Sequence, residues 1–298
     1  MKIALVQLHI DHKNKSNNWT RVEDYMVKAA KQKVDLIVFP EFFLGGPGRS
    51  SSLKNATERL GALARKYQMD LVPGTIVEHD EEQNVYRNTA YYIDYTGRVL
   101  LKYDKVHLWQ HERSYLTQGE FEFNTVKNRF GVTIGLCACW DLSVPEVFRE
   151  LAMNGDAQLI IIPAYWTLSE VDDTKCDLES EYKLLQGLLT ARAFENLTCV
   201  AFCNAARRLP HGNNEELLRK QERRFGIVSG ASQIVVPFKG TVACIDSDQE
   251  DMLIHDLPVV PIVHDADKEF KIRSEWHKHR IFPGRGFSSS SSYLDAKL

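Results

Sequence analysis

Apolar residues in this chain fall into short continuous runs, separated by stretches in which they recur at helical spacing. Residues 2–8 form the first run and suit a buried strand. Ser16 stands where a helix cap is wanted, ahead of Trp19, Val22, Met26, Ala29 and Ala30 at helical intervals. Leu36-Ile37-Val38-Phe39 is a β-rich run closed by Pro40, which cannot donate to a ladder. A second helix is expected around 53–68, then strands at 70–73 and 74–77. The segments 86–94 and 98–104 flank Asp94-Tyr95-Thr96-Gly97, a hairpin signal. Downstream, 132–139 reads as a strand, 144–154 as a helix, 159–163 as a strand, 178–195 as a longer helix and 198–204 as a strand. From 225 onward the pattern predicts mainly strands, with Gly230 and Gly240 as punctuation. Such alternation describes one α/β domain over residues 1–286 carrying antiparallel hairpins, without internal repeats. The charged stretch 209–224 is expected to be an exposed excursion. Residues 287–298, which include the serine run 288–292, are expected to be a flexible tail.

Composition narrows the classes. The 298 residues are 44% hydrophobic and 26% charged, which excludes a mainly disordered chain. A formal net charge of -3 offers no long-range attraction to a polyanion, so nucleic acid is not an expected partner. No apolar run approaches the roughly 20 residues of a membrane-spanning helix. The N-terminus reads as a strand rather than a secretion signal, so a cytoplasmic location is expected. The terminal Ala296-Lys297-Leu298 resembles a peroxisomal address and supplies the alternative in a eukaryote. Cysteines stand at 137, 139, 176, 199, 203 and 244. Their spacings do not match paired zinc ligands, so neither metal nor cofactor is expected. They divide into small buried hydrophobes and one candidate nucleophile.

Four features mark the ends of predicted elements, where ligands bind in open α/β sheets. Glu41 follows Val38-Phe39-Pro40. Lys105 follows a hairpin strand in Lys105-Val106-His107-Leu108. Cys139 ends an apolar run and opens Cys139-Trp140-Asp141-Leu142-Ser143-Val144-Pro145-Glu146. Ala191-Arg192-Ala193-Phe194-Glu195-Asn196 closes a helix. Each has a plainer reading when taken alone. Glu41 would cap a helix, Lys105 would be solvated, Cys139 would be core, and Arg192 would pair with Glu195.

Their combination and order resemble the nitrilase, or carbon–nitrogen hydrolase, superfamily. The resemblance continues through Asn154-Gly155-Asp156-Ala157, Asn204 and the Gly230-Ala231-Ser232 strand, so it runs from residue 1 to about 257. It implies a four-layer αββα sandwich and a Glu41–Lys105–Cys139 triad. Cys139 would attack, Glu41 would move protons, and Lys105 would stabilise charge. Glu112 matches a second family glutamate that orients the lysine or the substrate amine, against the plainer reading of a surface residue. Cys139-Trp140-Asp141 is more similar to the amidase and N-carbamoyl amine hydrolase branches than to true nitrilases. Asp104, where relatives carry a basic residue, and Leu142 and Ser143 depart from the family pattern and leave specificity open.

The expected reaction is hydrolysis, by water, of a small linear amide or N-carbamoyl amine through a Cys139 thioester. The alternatives are hydrolysis of a nitrile to an acid, or a catalytically silent relative acting as a binding partner. Phe42, Phe43, Trp109, Trp140, Tyr165 and Trp166 flank the motifs and would wall the pocket, unless they belong to the core; Asn204 joins them as a candidate substrate contact. The resemblance also implies a homodimer or higher homo-oligomer, assembled through the helices near 144–154 and 178–195.

Overall fold

The computed structural model describes residues 1–49, 55–168, 178–207 and 227–276. The excursion at 209–224, Cys176, the serine run and the C-terminal tripeptide lie outside them. The first sheet is built from β1 (Lys2–Gln7), β2 (Leu36–Val38), β3 (Asp70–Val72), β4 (Thr75–Asp80), β5 (Val85–Ile93) and β6 (Val99–Asp104). The second uses β7 (Thr125–Lys127), β8 (Thr133–Leu136), β9 (Leu159–Ala164) and β11 (Cys199–Asn204), with β10 (Thr167–Leu168) and β12 (Ile227–Val228) forming a small side pair. It closes with β13 (Gln233–Val236) and β14 (Gly240–Cys244), while β15 (Asp251–Asp256) returns to the first sheet beside β1. The neighbours β1–β2–β3 are parallel, as are β8–β9–β11, and antiparallel strands flank both sets.

Strand alternation builds the layers. Along β1 and β2, Ile3, Leu5, Leu36 and Val38 turn to one face and pack with the second sheet. Ala4, Val6 and Ile37 turn to the other and pack under α1 (Lys15–Lys31) and α2 (Ala56–Tyr67). On the far side, α3 (Pro145–Arg149, continued by a π-turn over Glu150–Asn154) and α4 (Leu178–Glu195) cover the second sheet with α5 (Val259–Phe270). The short α6 (Ile272–Glu275) follows. These are the four layers, αββα, that the resemblance implies. Cys203 on β11 helps join the sheets, its Sγ lying 3.3 Å from the carbonyl oxygens of both Val6 and Val38, between which its single S–H is shared. Among the described residues no helix is long and apolar enough to cross a membrane.

Several local expectations change. Asn14 rather than Ser16 caps α1, because its side chain accepts the Asn17 N–H at 3.2 Å. The strand expected over 132–139 stops at Leu136, since the chain must turn at Cys139. Beyond β15 the chain is helical, not stranded. Val259, Val263 and Ala266 recur at helical spacing and bury one face of α5, and its prolines fall at the cap and in the first turn, where a missing N–H costs nothing. Cys244 is exposed, donating to Asp246 Oδ1 at 2.8 Å, and so departs from the expected buried cysteines.

Candidate active site

Three turns leave the sheets towards one place. After β2, Glu41 is held by its N–H on the Ala164 carbonyl (3.2 Å), and the Phe42 N–H reaches Thr75 Oγ1 (3.0 Å). The chain at Gly74 passes so close behind this turn that a Cβ there would stand 1.8 Å from the Pro40 carbonyl oxygen. Lys105 follows β6. Its N–H donates to the Asn88 carbonyl (2.8 Å) and its own carbonyl accepts from Gly119 (2.9 Å). Only a residue without Cβ lets that strand approach, because a Cβ on Gly119 would lie 2.1 Å from the Asp104 oxygen. Cys139 opens the tight helical turn Cys139–Ser143 with φ of 46°, in the left-handed region. A non-glycine residue there is strained and must be held by its surroundings.

Asp141 supplies much of that hold. Its buried carboxylate accepts from the Ala138 N–H (2.8 Å), the Tyr103 hydroxyl (2.7 Å) and the His107 N–H (3.1 Å), with His107 Nδ1 at 2.8 Å. Tyr103 and His107 lie on either side of Lys105, so one carboxylate fastens the cysteine turn to the lysine loop. On the other side of the turn, Arg192 Nε donates to the Leu142 carbonyl (3.1 Å) while its guanidinium pairs with Glu195 at 2.9 Å.

The charged groups are packed against one another. Lys105 Nζ stands 2.9 Å from Glu41 and 2.9 Å from Glu112, with side-chain exposures of 0%, 1% and 7%. Burying ions is costly unless every lone pair and proton finds a partner. Here they do. Asn88 Nδ2 donates to Glu41 Oε1 (2.8 Å), the Tyr165 N–H to Glu41 Oε2 (3.0 Å), and the Trp109 N–H to Glu112 Oε2 (2.7 Å). Burial works against the Lys105 ammonium, yet the Glu112 and Glu41 carboxylates prevail and hold its pKa well above the usual value. Burial pushes Glu112 up, with Glu41 adding to the rise and Lys105 opposing it. Burial pushes the Cys139 thiol well up too, Glu41 adding and Lys105 opposing, so the resting group is a neutral thiol rather than a thiolate.

Glu41, Lys105, Glu112 and Cys139 share one cavity of about 520 Å³, with Phe42, Trp109, Trp140, Tyr165 and Trp166 as its aromatic wall. Two expected wall residues are elsewhere. Phe43 packs in the core against Phe39 and Trp19, because its neighbour Phe42 takes the opposite side of the turn. Asn204 is fully buried and spent on the chain. Its Oδ1 accepts the Trp166 N–H (2.8 Å) and its Nδ2 donates to the Gly230 carbonyl (2.8 Å), so it braces Trp166 from behind. Leu142 and Ser143 are likewise outside the described lining, with Leu142 buried under the turn. His111, Ser114, Tyr115 and Glu181 line the cavity without any local sequence signal to announce them. Asn88 is legible only in retrospect, inside the polar stretch Arg87-Asn88-Thr89 of a strand that ends apolar.

Residues 2–262 match the carbon–nitrogen hydrolase family. The chain is 30% identical to the 2-oxoglutaramate amidase of Bacillus subtilis over 68% of this chain and 75% of that one. It is 30% identical to a hydrolase in the agr operon of Staphylococcus aureus over 66% of this chain and 73% of that protein. Among solved structures, a variant of the amidase from Nesterenkonia sp. AN1, with the acetamide moiety of fluoroacetamide added covalently at its active-site cysteine, superposes with a TM-score of 0.71. That match has 25% identity and covers 94% of this chain and 97% of the other.

Proposed function

The chain belongs to the carbon–nitrogen hydrolase family, on its amidase side, and from that premise we propose that it hydrolyses a linear amide or N-carbamoyl amine through a thioester on Cys139. The observation that carries this reading is Lys105 clasped between Glu41 and Glu112 in the cavity that Cys139 also lines. A neutral buried thiol needs a base at the moment of attack. Glu41 takes the proton from Sγ as Sγ bonds to the carbonyl carbon. The oxyanion that forms is held by Lys105 and by the backbone N–H of Trp140, which opens a helical turn where intrahelical partners are missing. The C–N bond then breaks, and Glu41 passes its proton to the departing amine. Water attacks the thioester, giving a proton to Glu41. The S–C bond breaks, the acid leaves, and Sγ is reprotonated. Glu112 keeps Lys105 in place throughout.

Cys139→Ala should lower ammonia release from a panel of amides, N-carbamoyl amines and aliphatic nitriles by about a thousandfold or more. With Glu41→Leu, which removes the base needed for turnover, the chain should gain the mass of an acetamide moiety at Cys139 on treatment with fluoroacetamide. Retained hydrolysis by the alanine variant would overturn the mechanism. A Cys139 that does not label in that variant would favour a silent binding protein, and turnover confined to nitriles by the native chain would favour the nitrilase reading. We also infer a homodimer with α4 at the contact, supported by Leu184 and Phe194 standing exposed on that helix.

A further inference from the structure

Asn88 on β5 takes no part in the bond changes at Cys139, yet it touches two of the groups that do. Its backbone carbonyl accepts the Lys105 N–H at 2.8 Å, and its side-chain Nδ2 donates to Glu41 Oε1, also at 2.8 Å. The residue is 1% exposed and lies outside the described lining of the cavity, so it reaches a substrate only through another group. Its Oδ1 has no hydrogen-bond partner among the described residues. A buried amide oxygen left unpaired is destabilising, and an apolar side chain of similar volume would avoid that loss. What the amide contributes is therefore its donor to Glu41.

That donor acts on one oxygen of the carboxylate. A carboxylate offers about two lone-pair sites on each oxygen. On Glu41, Oε1 accepts from both Asn88 Nδ2 (2.8 Å) and Lys105 Nζ (2.9 Å), which fills it. Oε2 accepts from the Tyr165 N–H at 3.0 Å. Burial raises the Cys139 thiol, and a hydrogen bond from that same Tyr165 N–H is among the influences opposing the rise. Oε2 and Sγ thus flank one donor, and the other lone pair of Oε2 is left to the thiol proton. The last torsion of a glutamate is broad and roughly two-fold, so contacts must set which oxygen faces which neighbour.

We propose that Asn88 is a positioning residue for the proton transfers of Glu41: it fixes the carboxylate so that Oε2 faces Cys139 Sγ, takes its proton during attack and returns it to the departing amine. This rests on the thioester reading of the same site and adds the group that aims its base.

The test is a double-variant cycle on the full-length chain. Asn88→Leu removes the donor with little change in volume, and Asn88→Ala takes its place if the leucine variant does not fold by circular dichroism and melting. On a primary amide that the native chain turns over, Asn88→Leu should lower kcat by about thirtyfold or more and change KM by less than about threefold, because the side chain acts on the base and not on bound substrate. Thiol reactivity is read with methyl methanethiosulfonate. Sγ attacks its sulfur to form a mixed disulfide, methanesulfinate leaves, the thiol proton passes to Glu41, and tandem mass spectrometry localises the methylthio group to Cys139. With Glu41 present, Asn88→Leu should slow this reaction by about tenfold or more. In a Glu41→Leu background it should change the rate by less than about twofold, since no base is left to aim. Equal slowing in both backgrounds would make Asn88 a prop of the cysteine turn and overturn the proposal. Native kcat, a loss carried by KM, native labelling in the single variant, or a native Cys139 that does not react would each overturn it too. If the native chain releases no ammonia from any amide, the hydrolytic reading fails and the labelling cycle alone decides, non-additive rates supporting the inference and additive rates overturning it.

Discussion

Lys105 is a buried cation whose two neighbours are both anions, so its removal does more than delete a catalytic group. With Lys105→Met, Glu41 and Glu112 would be left facing one another in a nearly dry site. Leaving buried charge uncompensated costs about 3–5 kcal/mol, more than the net worth of the pair itself. The single variant should therefore be destabilised by that order in urea unfolding, as well as inactive. Adding Glu112→Gln should return part of the stability, because it removes one of the two opposed charges while its amide oxygen still accepts the Trp109 N–H. A double variant no more stable than Lys105→Met would show that the three groups are not electrostatically linked. Activity would stay lost in both, since neither restores the ammonium.

Between elements, the decisive link is Asp141, which ties the turn after β8 to both flanks of the loop after β6. Asp141→Ala would leave the Ala138 N–H and the Tyr103 hydroxyl without their partner in the core, a loss of about 1–3 kcal/mol for each unsatisfied buried group. In a Glu41→Leu background it should also slow covalent labelling of Cys139 by fluoroacetamide by about a hundredfold, because the strained backbone at Cys139 loses its brace. Asp141→Asn keeps one acceptor oxygen and should fall between the two. Labelling in that background at a rate unchanged by Asp141→Ala would mean that the turn holds itself.

This level also explains what could be read from the chain beforehand. Glu41, Lys105 and Cys139 each stand at or just past the end of a predicted strand, and their order matched a known family, so the convergence was legible. Asn204 carried the same signal, a polar residue closing a buried strand, yet its side chain turns to the backbone of Trp166 and Gly230. Glu181 and Asn88 reach the site only because a helix and a hairpin bring them there, which local sequence does not predict. The α5 helix was hidden because Pro258 and Pro261 interrupt a short apolar run, which resembles a strand until its buried positions are seen to repeat at helical spacing.

Across the whole molecule, α4 serves three surroundings at once. Leu185, Leu189 and Ala193 are buried against the second sheet, Glu181 lines the cavity, and Leu184 and Phe194 face outward. Phe194 also meets Phe270 of α5, at 5.1 Å between ring centroids, and Phe270 meets Phe238 at 5.4 Å. All three rings are more than a third exposed, at 42%, 41% and 46%, and such contiguous aromatic surface is characteristic of contact faces. A chain with a net charge of only -3 also has little repulsion to keep copies apart. Native mass spectrometry at micromolar concentration should show a homodimer. Leu184→Glu combined with Phe194→Glu should convert it to monomer, because a carboxylate at the centre of an apolar contact must be desolvated without a partner. Since α4 also carries a cavity wall, the monomer should melt some degrees lower and at a midpoint independent of protein concentration, whereas the native midpoint should rise with concentration. A native chain that is monomeric at every concentration, with a melting point the double substitution does not move, would place these rings outside any contact between copies.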